Sequence, residues 1–139
     1  MPQFEYSYLA QPYTNSSGKL IQEFRPFVPV ILSKGKLATF PIHALVDSGA
    51  DYCLFPAQAA EIIGINVKTG VKKSIYGIGN QEVISYTHKV KLHIVKYSFE
   101  TFIDFSESQK IPLLGRDGFF NYFDRVNFNQ NKKSILFKY

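Results

Sequence analysis

An all-β barrel or sandwich is the fold class this chain predicts, and three observations predict it. Apolar residues alternate with polar ones at period two through the longest patterned stretches, residues 83–96 and 99–105. The other apolar runs are short and separated by turn residues, with room for one or two short helices only. Aromatic residues make up 16% of the chain, as 13 Phe and 9 Tyr without Trp, which favours strands around a thick core. A length of 139 residues suits one domain with a real core.

Residues 1–22 read as an N-terminal arm, ahead of a domain over residues 23–139. Within the arm, Phe4 to Tyr8 alternates and could form a short strand, and Tyr13 to Gly18 is turn chemistry. Phe27 to Leu32 reads as a strand, with Pro26 and Pro29 suggesting an edge or a bulged start. Lys34-Gly35-Lys36 is a hairpin turn, and Leu37 to Val46 reads as one continuous strand after it. Tyr52 to Phe55 is a short buried strand. Pro56 suits the start of a helix through Ile63, with Gly64 as its C-terminal cap. Val71 to Ile75 and Val83 to Lys96 are strands flanking the segment 76–81. In the second, Ile84, Tyr86, His88, Val90, Leu92 and Ile94 share a face. Phe99 to Phe105 and Ile111 to Leu114 follow as strands. Gly118 to Phe123 reads as a short helix capped by Asp117, and residues 126–137 as a closing hairpin.

Charge and cysteine content narrow the function classes. The net charge is +5, but no basic run exceeds Lys72-Lys73 or Lys132-Lys133, which argues against a nucleic-acid surface. No apolar stretch reaches the roughly 20 residues of a membrane span, and the N-terminus lacks the basic-then-apolar order of a signal peptide. One cysteine, Cys53, leaves no internal disulfide and no multi-Cys zinc site, and its apolar surroundings read as core. A cytoplasmic, reducing setting is the expectation. His43, His88 and His93 are scattered, so no metal is implied, and His88 reads as a satisfied barrel residue. A Ser48-based triad lacks the Gly-x-Ser-x-Gly elbow. Asp104 and Asp124 read as surface acids.

The chemistry-bearing stretch is His43 to Asp51, HALVDSGAD, in which an apolar strand runs straight into an acid. A carboxylate there is costly unless it is used or paired. As a bare tripeptide, Asp47-Ser48-Gly49 could be only a side-chain-to-backbone turn. It could also be a rigid mount, since Gly49 and Ala50 let the backbone turn tightly and aim N–H groups at the Asp47 carboxylate. One carboxylate is a poor hydrolase, whereas two at close range share a proton and can work as base and acid. The chain has one such loop, so a pair requires a two-fold dimer.

Leu45-Val46-Asp47-Ser48-Gly49-Ala50 resembles the active-site signature of the aspartic proteases. The single copy in a short chain resembles the homodimeric retropepsin branch. Two further segments, in the right order, resemble the same family. Ile75-Tyr76-Gly77-Ile78-Gly79 is similar to the flap that closes over substrate, and Ile111 to Asp117 (IPLLGRD) is similar to the apolar-apolar-Gly segment under the catalytic loop with its following Arg. The resemblance spans about Phe24 to Tyr139. It implies a closed, bent acid-protease barrel, a homodimer with its active site at the two-fold interface, and hydrolysis of peptides with apolar residues, with water as nucleophile and no cofactor. It implies Asp47 as the catalytic acid, supported by Ser48, Gly49 and Arg116, with Arg116 paired to Asp51. Ala50, Asp51, Tyr76, Gly77, Ile78 and Gly79 would border the substrate. Ser48 stands where Thr is commoner, the N-terminal arm has no matched equivalent, and the closing hairpin is unlike the viral members. A catalytically silent dimer of the same fold, binding peptides without cutting them, is the rival reading.

Overall fold

The computed structural model describes residues 2–139 apart from Gly77, and Ile78 by its backbone alone. In chain order the strands are β1 (Gln3–Ser7), β2 (Leu9–Thr14), β3 (Leu20–Arg25), β4 (Phe27–Lys34), β5 (Leu37–Ala38), β6 (Ile42–Val46) and β7 (Leu54–Pro56), followed by the helix α1 (Ala57–Ile62). Then come β8 (Val71–Tyr76), β9 (Glu82–Ile94), β10 (Tyr97–Ser106), β11 (Leu113–Leu114), β12 (Arg125–Asn129) and β13 (Ser134–Lys138). Short 3-10 turns lie at Val67–Thr69, Ile78–Asn80 and Phe120–Tyr122.

The main sheet runs β5-β4-β6-β11-β7-β10-β9-β8 and closes on itself because β4 also pairs with β9. Six strands, β4, β6, β11, β7, β10 and β9, thus form a closed barrel, which leaves β5 and β8 outside the ring. Period-two alternation fills its interior: Val28, Val30 and Leu32 from β4 and Val90, Leu92 and Ile94 from β9 are all buried. Phe55 and Phe105, fully buried, meet edge to face at 6.5 Å. Pro29 sits opposite His43 of β6, on a part of β4 whose other side carries no strand, so its missing N–H is not needed.

Much of the aromatic content serves a second packing layer. β1, β13 and β12 form a separate antiparallel sheet in that order. Phe4, Phe123 and Phe137 from this region pack against one another, and Tyr139 stacks on Tyr97 at 4.1 Å. Phe99 stacks on Tyr122 at 4.0 Å, and Phe119, with no exposure, sits between Phe99 and Phe137. The two ends of the chain are thereby clamped onto β10.

Several local expectations need correction: the strand expected over residues 52–55 is Leu54–Pro56, with Tyr52 exposed, and that over 111–114 is Leu113–Leu114 alone. Leu37 to Val46 is two strands, because Pro41 offers no N–H to the ladder. Instead Thr39 turns inward, its N–H donating to the Leu32 carbonyl (2.9 Å) and its hydroxyl accepting from the Leu32 N–H (3.1 Å). Pro56 stands one position earlier than expected, as the cap of α1, while Gly64 ends the helix as foreseen, at φ 78° with its N–H on the Glu61 carbonyl. Asp117 caps nothing: the expected helix is a single 3-10 turn, and Asn121 Oδ1 accepts the Gly118 N–H instead. Asp104 is no surface acid. It is 2% exposed, accepts from the Thr87 hydroxyl, and pairs with Lys73 Nζ at 3.3 Å. β10 loses its alternation from Ile103 onward because groups of β8 and β9 engage the side chains on its other face: Lys73 and Thr87 hold Asp104, and the Ser106 hydroxyl donates to the Ile84 carbonyl at 2.8 Å. Asp124 is exposed, as expected. His88 is satisfied by the Val67 carbonyl at 2.7 Å. Among the described residues no helix is long and apolar enough to cross a membrane.

Candidate active site

Asp47 is the first residue past β6, and three hydrogen bonds fix it. Its N–H donates to the Leu114 carbonyl (3.0 Å), its carbonyl accepts the Ala50 N–H (3.1 Å), and its Oδ1 accepts the Gly49 N–H (2.9 Å). The side-chain-to-backbone turn and the rigid mount, alternatives in the sequence, are here one structure. Asp47 is half-buried, and Ser48 and Gly49 are exposed at the tip.

The loop is held from below by β11. This two-residue strand wedges between β6 and β7, parallel to Leu45 and Val46 and antiparallel to Leu54. Beyond it the Arg116 N–H donates to the Ala50 carbonyl (2.9 Å) and the Asp117 N–H to the Asp51 carbonyl (2.8 Å). Gly115 sits between, packed so closely that a Cβ would fall against the Tyr52 carbonyl and 2.8 Å from the Ala50 oxygen. Close approach, not an unusual dihedral, is why this residue is glycine. Arg116 Nη2 lies 3.2 Å from Asp51 Oδ1, so the two residues that the resemblance joins do meet. With side chains 65% and 73% exposed, the pair orients the loop more than it stabilises the fold.

Cys53 lies directly under this junction, fully buried, with its Sγ accepting the Gly115 N–H at 3.4 Å. Burial pushes its thiol up from 9.0 to about 12, with Asp104 and Asp117 adding to the rise and the Gly115 N–H opposing it. Iodoacetamide at pH 8 is therefore expected to leave the folded protein unlabelled and to label it fully in denaturant, and rapid labelling of the native state would contradict this burial. The folded thiol keeps its proton where the unfolded one loses it. This contribution to stability is complete below the unfolded value and fades as pH climbs from about 9 towards 12.

A groove of about 590 Å³ opens beside the loop. Residues 49–52, Leu54 and Leu113 form its floor, and Lys73 to Tyr76 of β8 form its roof. Ala50, Asp51 and Tyr76 are among its lining residues, and Leu54 and Leu113 supply the apolar floor. Tyr76 is exposed, and Gly79, at φ 82°, turns the chain between β8 and β9. Gly77 lies outside the described residues, and so does the side chain of Ile78. Sequence reading missed Tyr52 and Lys73. The Lys73 ammonium sits 4.0 Å over the Tyr52 ring while also reaching buried Asp104, which ties β8 to the segment after the loop. No spacing rule links two residues that meet only when the barrel closes.

Residues 22–121 match the family described as retroviral aspartyl protease, a span that holds every residue discussed for this site. Among solved structures, a retropepsin-like aspartic protease from Rickettsia conorii superposes with a TM-score of 0.66 at 14% identity, covering 99% of this chain and 91% of that one. The N-terminal region therefore falls within that likeness, against the expectation that it has no counterpart. The EIAV protease complexed with the inhibitor HBY-793 superposes with a TM-score of 0.53 at 22% identity, covering 68% of this chain and 84% of that one. No curated protein matches in sequence. Together with the closed barrel, the match over residues 22–121 is decisive: the chain belongs to the retroviral aspartyl protease family.

Proposed function

We propose that this protein is an aspartic endopeptidase that works as a homodimer, with Asp47 of each copy meeting at the two-fold axis. One carboxylate takes a proton from water while the other, protonated, hydrogen-bonds the scissile carbonyl. The water then adds to the carbonyl carbon, and the proton passes to the departing amine. Water is the nucleophile, so no cofactor is required. Ser48 and Gly49 hold the pair, and Arg116 braces Asp51. Ala50, Asp51 and the β8–β9 tip, from Tyr76 through Gly77 and Ile78 to Gly79, line the substrate, with that tip acting as a flap. The floor of Leu54 and Leu113 favours apolar peptide side chains. A cytoplasmic setting belongs to the same proposal and suits an unpaired, buried Cys53.

The observation that carries this reading is the mounting of Asp47: an acid held by the Gly49 N–H, in a loop whose next residues, Gly49 to Asp51, line an apolar groove, in a chain with one such loop. Peptide cleavage measured against enzyme concentration tests it. Specific activity is expected to rise with concentration and level off where sedimentation shows dimer, with an acid-favoured pH profile. Full specific activity where sedimentation shows only monomer would remove the shared site.

A further inference from the structure

β2 and β3 form a two-stranded ribbon that belongs to neither larger sheet. Its register separates two faces. Leu9, Gln11, Tyr13, Ile21, Glu23 and Arg25 share one face, which carries the ribbon's only ion pair, Arg25 with Glu23. Every residue of the opposite face is uncharged, and Ala10, Pro12, Leu20 and Phe24 on it are exposed, Leu20 by 70% and Phe24 by 47%. An isolated hairpin is marginal in water, and an exposed apolar ribbon invites pairing unless something covers it.

The root of the ribbon indicates what that is. The Val46 N–H donates to the Pro26 carbonyl (3.0 Å), so β3 joins the barrel one residue pair from Asp47. The ribbon thus leaves the barrel at the end where the proposed active site needs a second copy. Its six-residue strands reach about 20 Å from that point. The C-terminal strand is already occupied. β13 is already paired on both sides, by β1 and β12, and the Tyr139 N–H bonds the Pro2 carbonyl of the same chain. Resting on the dimeric reading of the site, we infer that the apolar face of the β2–β3 ribbon grips a second copy of this chain and holds the two Asp47 loops together. The surface that joins the subunits is then an N-terminal arm rather than a sheet of exchanged chain ends.

Leu20→Ser/Phe24→Ser tests this, since both side chains are exposed and the barrel does not depend on them. The double variant is expected to melt within a few degrees of wild type. Its dimer dissociation constant, by sedimentation, should rise at least tenfold. Peptide cleavage should fall in dilute solution and recover as concentration restores the dimer. An unchanged dissociation constant in a protein that dimerises and cleaves overturns the ribbon and leaves the shared site standing. A weakened dimer in a protein that never cleaves supports the ribbon and overturns the enzyme reading. A wild type that stays monomeric overturns the ribbon whether or not it cleaves. A second measurement uses Leu20→Cys carrying a photoactivated cross-linker, in a mixture of isotope-labelled and unlabelled chains. Cross-links between the two kinds of chain support the proposal, and adducts confined to the ribbon's own barrel overturn it.

Discussion

Asp47→Asn is expected to lower peptide cleavage by roughly a hundredfold to ten-thousandfold, the range lost when a positioned acid–base group is removed. Melting temperature and dimer mass should not move. The amide has the shape of the carboxylate, and its oxygen can still accept the Gly49 N–H that now holds Oδ1 at 2.9 Å. What it cannot do is take a proton from water, and in a shared site one variant subunit also deprives its partner. Mixed dimers should therefore lose activity as completely as variant dimers do. Asp51→Asn makes the informative contrast, because it disturbs the groove lining and an exposed pair with Arg116 but not the proton-transferring group, and should change KM more than kcat. Cleavage by Asp47→Asn at more than a tenth of the wild-type rate would put the chemistry elsewhere.

The parts of this molecule that follow local rules were readable in the sequence. The buried face of β9 obeys period two from Val90 to Ile94, Gly35 turns at φ 58° between β4 and β5, and the loop from Asp47 to Asp51 announces itself by its own residue types. Features set by closure of the barrel were not. Asp104 looks like a surface acid in an alternating strand, and only the approach of Lys73 and Thr87 makes its burial affordable. Leu113, one of the two leucines of the groove floor, reaches the site because a two-residue strand inserts between β6 and β7. The boundary drawn after residue 22 falls inside β3, because mixed polar and apolar residues on a ribbon with two exposed faces carry no clear period.

Gly115→Ala is expected to be the most damaging single methyl in the chain. Its Cβ would meet backbone atoms of Tyr52 and Ala50, which cannot rotate aside as a side chain could, so the loop or β11 must shift. Overpacking of this kind costs about 3 kcal/mol. In a domain of this size that lowers the melting temperature by roughly 10 °C. Gly35→Ala separates this cause from backbone strain. Gly35 has a positive φ of 58° but nothing within 4 Å of an added Cβ, so only strain of about 1 kcal/mol applies. Activity should divide the two further. The displaced backbone in Gly115→Ala carries the Ala50 and Asp51 carbonyls that bond the Arg116 and Asp117 N–H groups, so the Asp47 mount moves with it and cleavage should fall even in molecules that remain folded. Gly35→Ala should keep its rate. Thermal melts read beside initial rates check both, and a Gly115→Ala protein that melts and cleaves like wild type would show that the wedge of β11 does not hold the loop.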